Sequence, residues 1–551
     1  MPSRYFFVLS VGVVLLPVSS VQAQTAPDAG SLLKDLQTER RQQEPSRPAA
    51  APLSPVLPPV LRVESAARVK VDAFRILGNK SIPSAELLPL LSAYQARELS
   101  VTDLSGAAQV ITQHYRERGF ILSFAYLPQQ KIISGTLEIV VVEGRVGAVQ
   151  IVAAQDVRLD DGVVQSHIGT LSTEDVARQD DIERRLLLLN DLPGIVARGT
   201  FSPGAEPGTS DLVLTVVEDE PFAAAIEANN HGSKSIGENR LGASFHLRDA
   251  FGWGESTRLH LLGTTGGRMD NLSLSTRVPV GGDGWAMNFA FSRLYYELGE
   301  PFASLGARGD ATSYRLGASY TALRQMTQNL VFTVDGERKR LIDHIPLLAE
   351  DKAKTVDVLS FGASWESVDV AGATRLSVGN RSGSLRRDSA SDPLRQGGHF
   401  SKWTADLMRD QSLFAGHRLY FKGSAQSVSD NLDSSEKLSL GGPYAVRAFG
   451  PDELSVDKGW LASLEYRYMY RLPGTTLQFK VFHDEAQGNI DRQPLAGVAG
   501  NDVRLSGNGV GASWSAEDDW DIALTWAKRD RRKPASTGDD SRTYVALSYR
   551  F

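Results

Sequence analysis

Arg447 is the residue of this chain that most invites a chemical question. It sits in Val446-Arg447-Ala448-Phe449-Gly450, a cation among apolar residues, shortly after the turn-forming Gly441-Gly442-Pro443. A guanidinium presents its N–H donors in a flat fork, and a carboxylate is the partner which that fork fits best. Asp484 is such a carboxylate. It lies in a stretch where Leu477, Phe479 and Val481 share one face and Gln478, Lys480, Phe482 and Asp484 the other. Spacing alone leaves two readings open: a paired Arg447 and Asp484, or two ordinary charges on a polar surface with no common task.

Other chemistry is excluded or weakly signalled. Cysteine is absent, so disulfides and thiolate metal sites are ruled out. No G-x-S-x-G, H-E-x-x-H or nucleotide-binding loop occurs. The run Gly507-Asn508-Gly509-Val510-Gly511 reads as strand glycines in preference to a phosphate cradle. The expectation is therefore a protein that is not an enzyme, with no metal and no cofactor. A net charge of -6 and a pI near 5.9 oppose binding of a polyanion, so no nucleic-acid partner is expected.

The elements that must position these residues are short alternating segments. Leu464, Tyr466, Tyr468 and Tyr470 fall on one face, Glu465, Arg467 and Arg471 on the other. Side chains on a strand alternate with period 2, so this strand has one aromatic face and one charged face. Trp285, Met287, Phe289 and Phe291 repeat the pattern, as do Leu330, Phe332 and Val334, then Ile522, Leu524 and Trp526, and finally Val545, Leu547, Tyr549 and Phe551. An apolar face opposite a charged one suits a transmembrane antiparallel β-barrel with a wet lumen, and residues 221–551 accommodate roughly sixteen strands. Outer-membrane lipid is then a partner. In such a barrel the polar set faces the lumen, which turns Asp484 inward.

The preceding residues divide further. Residues 1–23 carry a weakly positive start, an apolar run and Val21-Gln22-Ala23, the pattern of an export signal. Ser31–Gln43 reads as a helix capped by Ser31, with Leu32, Leu33 and Leu36 on one side, within a segment 24–44 that a polar lumen or solvent would suit. Residues 45–68 form a proline-rich linker. Residues 69–144 show a strand, helix, helix, strand, strand rhythm. Val69–Leu77 is its first strand, Pro83–Ala93 its first helix, and a helix capped by Thr102 and closed by Gly119 its second. Residues 145–220 repeat the plan in reduced form, with a single helix around Asp181–Asn190.

Several strings resemble the outer-membrane transporters of two-partner secretion, of the haemolysin and filamentous-haemagglutinin secretion type. FRILGNKSIPSAELLPLL, ITQHYRERGFILSFAYLPQQ and GTLEIVVVEGRV are similar to their first POTRA domain, SLGGPYAVRAFG to their signature loop, and KVFHDEAQG to the F-x-D-x-G of a nearby strand. Ala448 stands where that loop normally has Gly, and Ala486 where the strand motif has its Gly. The resemblance implies an N-terminal plug helix, two α+β POTRA domains and a sixteen-stranded barrel in the outer membrane of a Gram-negative bacterium, with the POTRA domains in the periplasm. It implies that Arg447 enters the lumen and meets Asp484, with Phe482 in the same wall motif. It also implies that residues 69–220 recognise a secreted partner protein, a large β-helical exoprotein, which then crosses the outer membrane. The barrel assembly machinery would insert the protein by reading its terminal strand. The rival is an insertase that assembles other outer-membrane proteins; two POTRA domains and the Gln/Arg-rich helix favour the secretion branch.

Overall fold

The computed structural model describes residues 26–43, 68–130, 135–153, 157–169, 171, 175–388, 392, 394–495, 500–516, 519–530 and 539–551. The expected export signal, and the expected linker apart from Arg68, lie outside the described residues.

Sixteen antiparallel strands close into a barrel, from Phe222–Asn229 to Ser541–Arg550, and the last pairs with the first through partners such as Tyr549 and Ile226. Closure leaves no unpaired strand edge, which is the condition for a sheet to sit in hydrocarbon. The alternation anticipated in the sequence has a definite sense. Trp285, Met287 and Phe289 point outward and are exposed, as are Leu464, Tyr466, Phe479 and Val481, whereas Ser463, Glu465, Phe482 and Asp484 are buried on the lumen side.

Helix α1 (Ala29–Gln43) lies inside the barrel. Leu32, Leu33 and Leu36 pack against Leu294, Leu341, Val356, Leu385 and Phe400 of the inner wall. Its cap is Asp28, not Ser31: Asp28 accepts from the Ser31 N–H at 2.9 Å, and the Ser31 hydroxyl accepts from the Asp28 N–H at 3.1 Å. Both residues satisfy orphan groups of the first turn, and the one farther from the helix takes the capping position.

Two α+β units precede the barrel and share one topology. In the first, Ala73–Leu77 runs parallel to Thr136–Val142, which is antiparallel to Phe124–Tyr126. In the second, Arg145–Ala153, Thr209–Glu218 and Ile195–Pro203 stand in the same relation. Four sequence expectations need correction here. Val69–Leu77 is two strands that part at Asp72, where the backbone turns to bond Gly135; Arg68–Val71 pairs instead with a fourth short strand, Arg97–Ser100. The Pro83–Ala93 helix is a single α turn, α2 (Ser84–Leu87), continuing as a 3-10 segment, Leu88–Tyr94, with Pro89 near its start and unable to donate an α-helical bond. Helix α3 (Val101–Glu117) is capped by Ser100 through a capping box with Asp103, so Thr102 lies inside it. Gly119, just past its end, adopts φ +86°, as a left-handed terminator should. The second unit has two helices, α4 (Asp161–Ile168) as well as α5 (Gln179–Asn190).

Helix α5 fastens the second unit to the barrel turns. Asp191 receives two bonds from the Arg324 guanidinium, at 2.9 and 2.8 Å. Arg184 donates to the carbonyls of Thr321 and Asp283, and Glu183 accepts from the Met326 N–H. These contacts mark the end of the barrel on which the second α+β unit sits.

Candidate functional site: the lumen loop

The segment between strands His417–Val428 and Lys458–Leu472 doubles back into the barrel. Its two limbs pair at Leu438–Ser439 and Ser455–Val456, and its own carbonyls take up the tip: Leu440 accepts from Val446 N–H, and Phe449 accepts from Gly442 N–H. Gly442 holds φ +109°, a conformation other residues adopt only under strain. Leu440, Val446, Ala448 and Phe449 are buried against Phe482, Ala486, Leu505 and Ala527 of the wall. The loop is therefore held by apolar packing before any charge is considered.

Arg447 is 6 % exposed and Asp484 1 %. The guanidinium grips the carboxylate with both prongs, Nε to Oδ2 at 2.8 Å and Nη2 to Oδ1 at 2.7 Å, and the Arg447 backbone N–H adds a third bond to Oδ2 at 3.1 Å. Nη1 reaches Glu465 at 2.6 Å, and Nη2 also donates to the Ser463 hydroxyl, which itself donates to Asp484. The Phe482 ring floors the fork, with the guanidinium carbon 3.4 Å from its centroid. One cation thus sits between two buried carboxylates, and the surplus negative charge is met by Arg467, which bonds Glu465 Oε2 and stacks on Tyr420. Removing one member of such a buried set strands the others and costs about 3–5 kcal/mol.

The glycine run has a role in this arrangement. On strand Asp502–Ala516, next to the Asp484 strand, a Cβ at Gly507 would stand 2.5 Å from Ala448 Cβ, and one at Gly509 would stand 2.2 Å from the Phe482 ring. These glycines are the recess into which the loop tip and the aromatic floor fit.

A second anchor of opposite polarity holds the start of the loop. In the Ser434–Glu436 turn, Glu436 is met by Lys339 at 2.7 Å, Lys402 at 2.8 Å and Arg381 at 3.3 Å, from three strands on the other side of the loop's own hairpin. Lys339 and Lys402 are fully buried, so each needs its charge answered there. The same turn meets the plug: Ser434 donates to Asp28, and Lys354 bridges Asp28 and Asp433. Farther along α1, Asp35 accepts from Ser439, and Glu39 accepts from Tyr444 and from the Arg240 fork. Plug and loop are one bonded body inside the lumen.

The expected residues of the loop and of the wall motif lie in this region. Val446, Ala448 and Phe449 pack the loop tip into the wall, and Arg447 meets Asp484 over Phe482. Gly450 lies beside Asp452 and the Arg542 guanidinium. Ala486 is fully buried in the apolar cluster. Glu465 was legible as a lumen charge from its alternation, but nothing in its spacing marked it as a partner of Arg447. Glu436, Lys339 and Lys402 carried no signal at all, being ordinary charges far apart in the chain.

A sequence profile described as "Haemolysin secretion/activation protein ShlB/FhaC/HecB" matches residues 208–513, and one described as "POTRA domain, ShlB-type" matches residues 69–144. The chain is 27 % identical over 539 residues to the heme/hemopexin transporter protein HuxB of Haemophilus influenzae (strain 86-028NP), covering 94 % of each chain. It is 24 % identical over 480 residues to the outer membrane transporter CdiB of Escherichia coli, covering 83 % of this chain and 79 % of that one. The solved structure of CdiB from Escherichia coli superposes with a TM-score of 0.75 at 20 % identity, covering 96 % of this chain and all of the other, a likeness of fold. The first profile spans more than half the chain and takes in the loop and both of its anchors, so this chain belongs to the ShlB/FhaC/HecB haemolysin secretion/activation family and is a two-partner secretion pore of the outer membrane, with its POTRA region on the periplasmic side.

Proposed function

We propose that the loop bearing Arg447 is the resting latch of this pore, and that residues 69–220 catch the exported partner and bring it to the latched lumen. The observation that carries the reading is the Arg447 fork on Asp484, a buried contact between a loop and a barrel wall made in the space a cargo must use. In this division residues 24–44 are the plug, 45–68 the tether, 69–144 and 145–220 the recognition units, and 221–551 the conduit. The units display sheet edges such as Arg145–Ala153, which suit capture of an unfolded chain by strand addition. The cargo is a large β-helical exoprotein whose folding outside the cell draws it outward, and the barrel itself is inserted by the barrel assembly machinery.

The test is export of the co-expressed partner protein. Arg447→Ala should abolish secretion while the barrel still assembles, shown by heat-modifiable migration in gels. Normal export by that variant would remove the latch. Depletion separates this reading from an insertase: one missing secreted protein supports the pore, and a general fall in outer-membrane proteins supports the insertase.

A further inference from the structure

The first turn on the α+β side of the barrel, between strands Arg240–Arg248 and Ser256–Thr264, is held by bonds from its backbone to its own carboxylates. Two carboxylates are buried in it. Asp249 accepts from the Gly254 N–H at 2.6 Å, and Glu255 accepts from the N–H groups of Phe251 at 2.9 Å and Trp253 at 3.3 Å. Asp249, Gly252 and Gly254 all hold positive φ, at +45°, +79° and +72°. The back of the turn rests on the second α+β unit: the Gly252 carbonyl accepts from Asp160 N–H at 2.9 Å, and a Cβ on Gly254 would stand 3.0 Å from Leu192.

This framework holds two large aromatic residues out into the surroundings. Phe251 is 71 % and Trp253 58 % exposed, with ring centroids 5.7 Å apart. Exposing both rings to water forfeits the burial that large aromatics ordinarily gain. Their neighbours along the barrel surface supply the occupant. Leu247, two residues before the turn, and Phe222, its strand partner, are both exposed on the outward face, and Phe222 lies against Phe245. The two rings continue this lipid-facing belt toward the periplasm. Other turns at the same end display apolar side chains in the same way, among them Met326, Val370 and Phe414. Tryptophan and other aromatic rings are the residues that settle at the headgroup level of a bilayer.

We propose that Phe251 and Trp253 insert into the periplasmic phospholipid leaflet of the outer membrane. The turn is bonded to Asp160 and packed on Leu192, so the same insertion fixes the height of the second α+β unit beneath the membrane. The partner surface is lipid at the headgroup–acyl boundary.

The chain has no cysteine, so a single Trp253→Cys or Phe251→Cys substitution can carry one nitroxide label in the full-length protein. The labelled protein is reconstituted in vesicles of phosphatidylethanolamine and phosphatidylglycerol, and collision of the label with oxygen is compared with collision with a water-soluble nickel chelate. Val510→Cys on the outward face serves as the lipid reference, and Gly266→Cys, in an open turn at the opposite end, as the water reference. A several-fold preference for oxygen, approaching that of the Val510 position, is the expected result. A chelate preference like that of the Gly266 position overturns the proposal. Low collision with both reagents also overturns it, marking a protein contact instead. A second measurement needs no label: the emission of Trp253 alone, taken as the difference between the unsubstituted protein and Trp253→Phe, should be quenched by brominated phospholipid, and a difference that brominated phospholipid leaves unchanged is contrary to the proposal. Neither readout involves cargo, so failure here leaves the Arg447 latch untouched.

Discussion

The methyl group of Ala448 occupies the space that a side chain on Gly507 would need, with only 2.5 Å between the Ala448 Cβ and a Cβ built on that glycine. Loop and wall are therefore matched at a single carbon. Gly507→Ala should push the loop tip off its recess, with overpacking of about 1–3 kcal/mol. Ala448→Gly should restore the fit in the double variant. Protease sensitivity of the loop in the assembled protein checks this: it rises in Gly507→Ala and falls back when both changes are present.

Arg447→Lys tests the fork apart from the charge. Lysine keeps one positive charge but has no paired donors for Asp484 and no flat face for Phe482. Export should fall steeply but remain above that of Arg447→Ala, which strands Asp484 and Glu465 together. Asp484→Asn should lie between the two, because Glu465 and Ser463 still receive two of the guanidinium's bonds. Secretion titres in one strain background rank the three variants.

Glu436→Gln leaves Lys339, Lys402 and Arg381 crowded around a neutral amide. The start of the loop should loosen, and because Ser434 and Asp433 of that segment engage Asp28 and Lys354, the plug should loosen with it. Single-channel recording in planar bilayers should show more frequent openings than in the unsubstituted protein. Deleting residues 31–43 should give a larger, steady conductance. Unchanged traces in both variants would separate the plug from the block.

His167 gives the second α+β unit a pH dependence. It is buried, its Nδ1–H donates to the Val163 carbonyl at 2.8 Å, and burial holds its pKa below the ordinary 6.5. The unfolded imidazole takes up a proton at a higher pH than the folded one. The unit's stability is therefore complete above pH 6.5, falls as pH drops from there toward the depressed folded value, and levels off below it. Hydrogen-exchange protection of helices α4 and α5 should decline across that window, and His167→Gln should flatten the decline.

The barrel was legible because its signal is repetition. Each strand alternates on its own, as in Trp285–Phe291, and many agreeing strands outweigh the weakness of any one. The pairing of Arg447 with Asp484 was legible through a string of neighbouring residues that resemble a family, not through spacing, since 37 positions separate the partners. Helix α4 escaped because its eight residues, DGVVQSHI, offer barely two turns of periodicity. The strand Arg97–Ser100 escaped because its partner among the described residues is the equally short Arg68–Val71, so the pair exists through tertiary contact alone. At two helix starts the residue chosen as cap, Ser31 and Thr102, was a good capping type standing near the one the backbone used. The Glu436 cluster was beyond sequence reasoning for a simpler reason: charges are common on a lumen wall, and only folding decides which of them meet.

The loop is moored on its two flanks by anchors of opposite sign, Glu436 among cations and Arg447 among carboxylates. A travelling segment of either charge can compete for one mooring only, since whatever displaces the anion is repelled from the place of the cation. In the latch proposed above, the loop would then swing on the remaining mooring instead of drifting free and reseat once the traveller has passed, much as a drawbridge keeps its hinge when its chain is slackened.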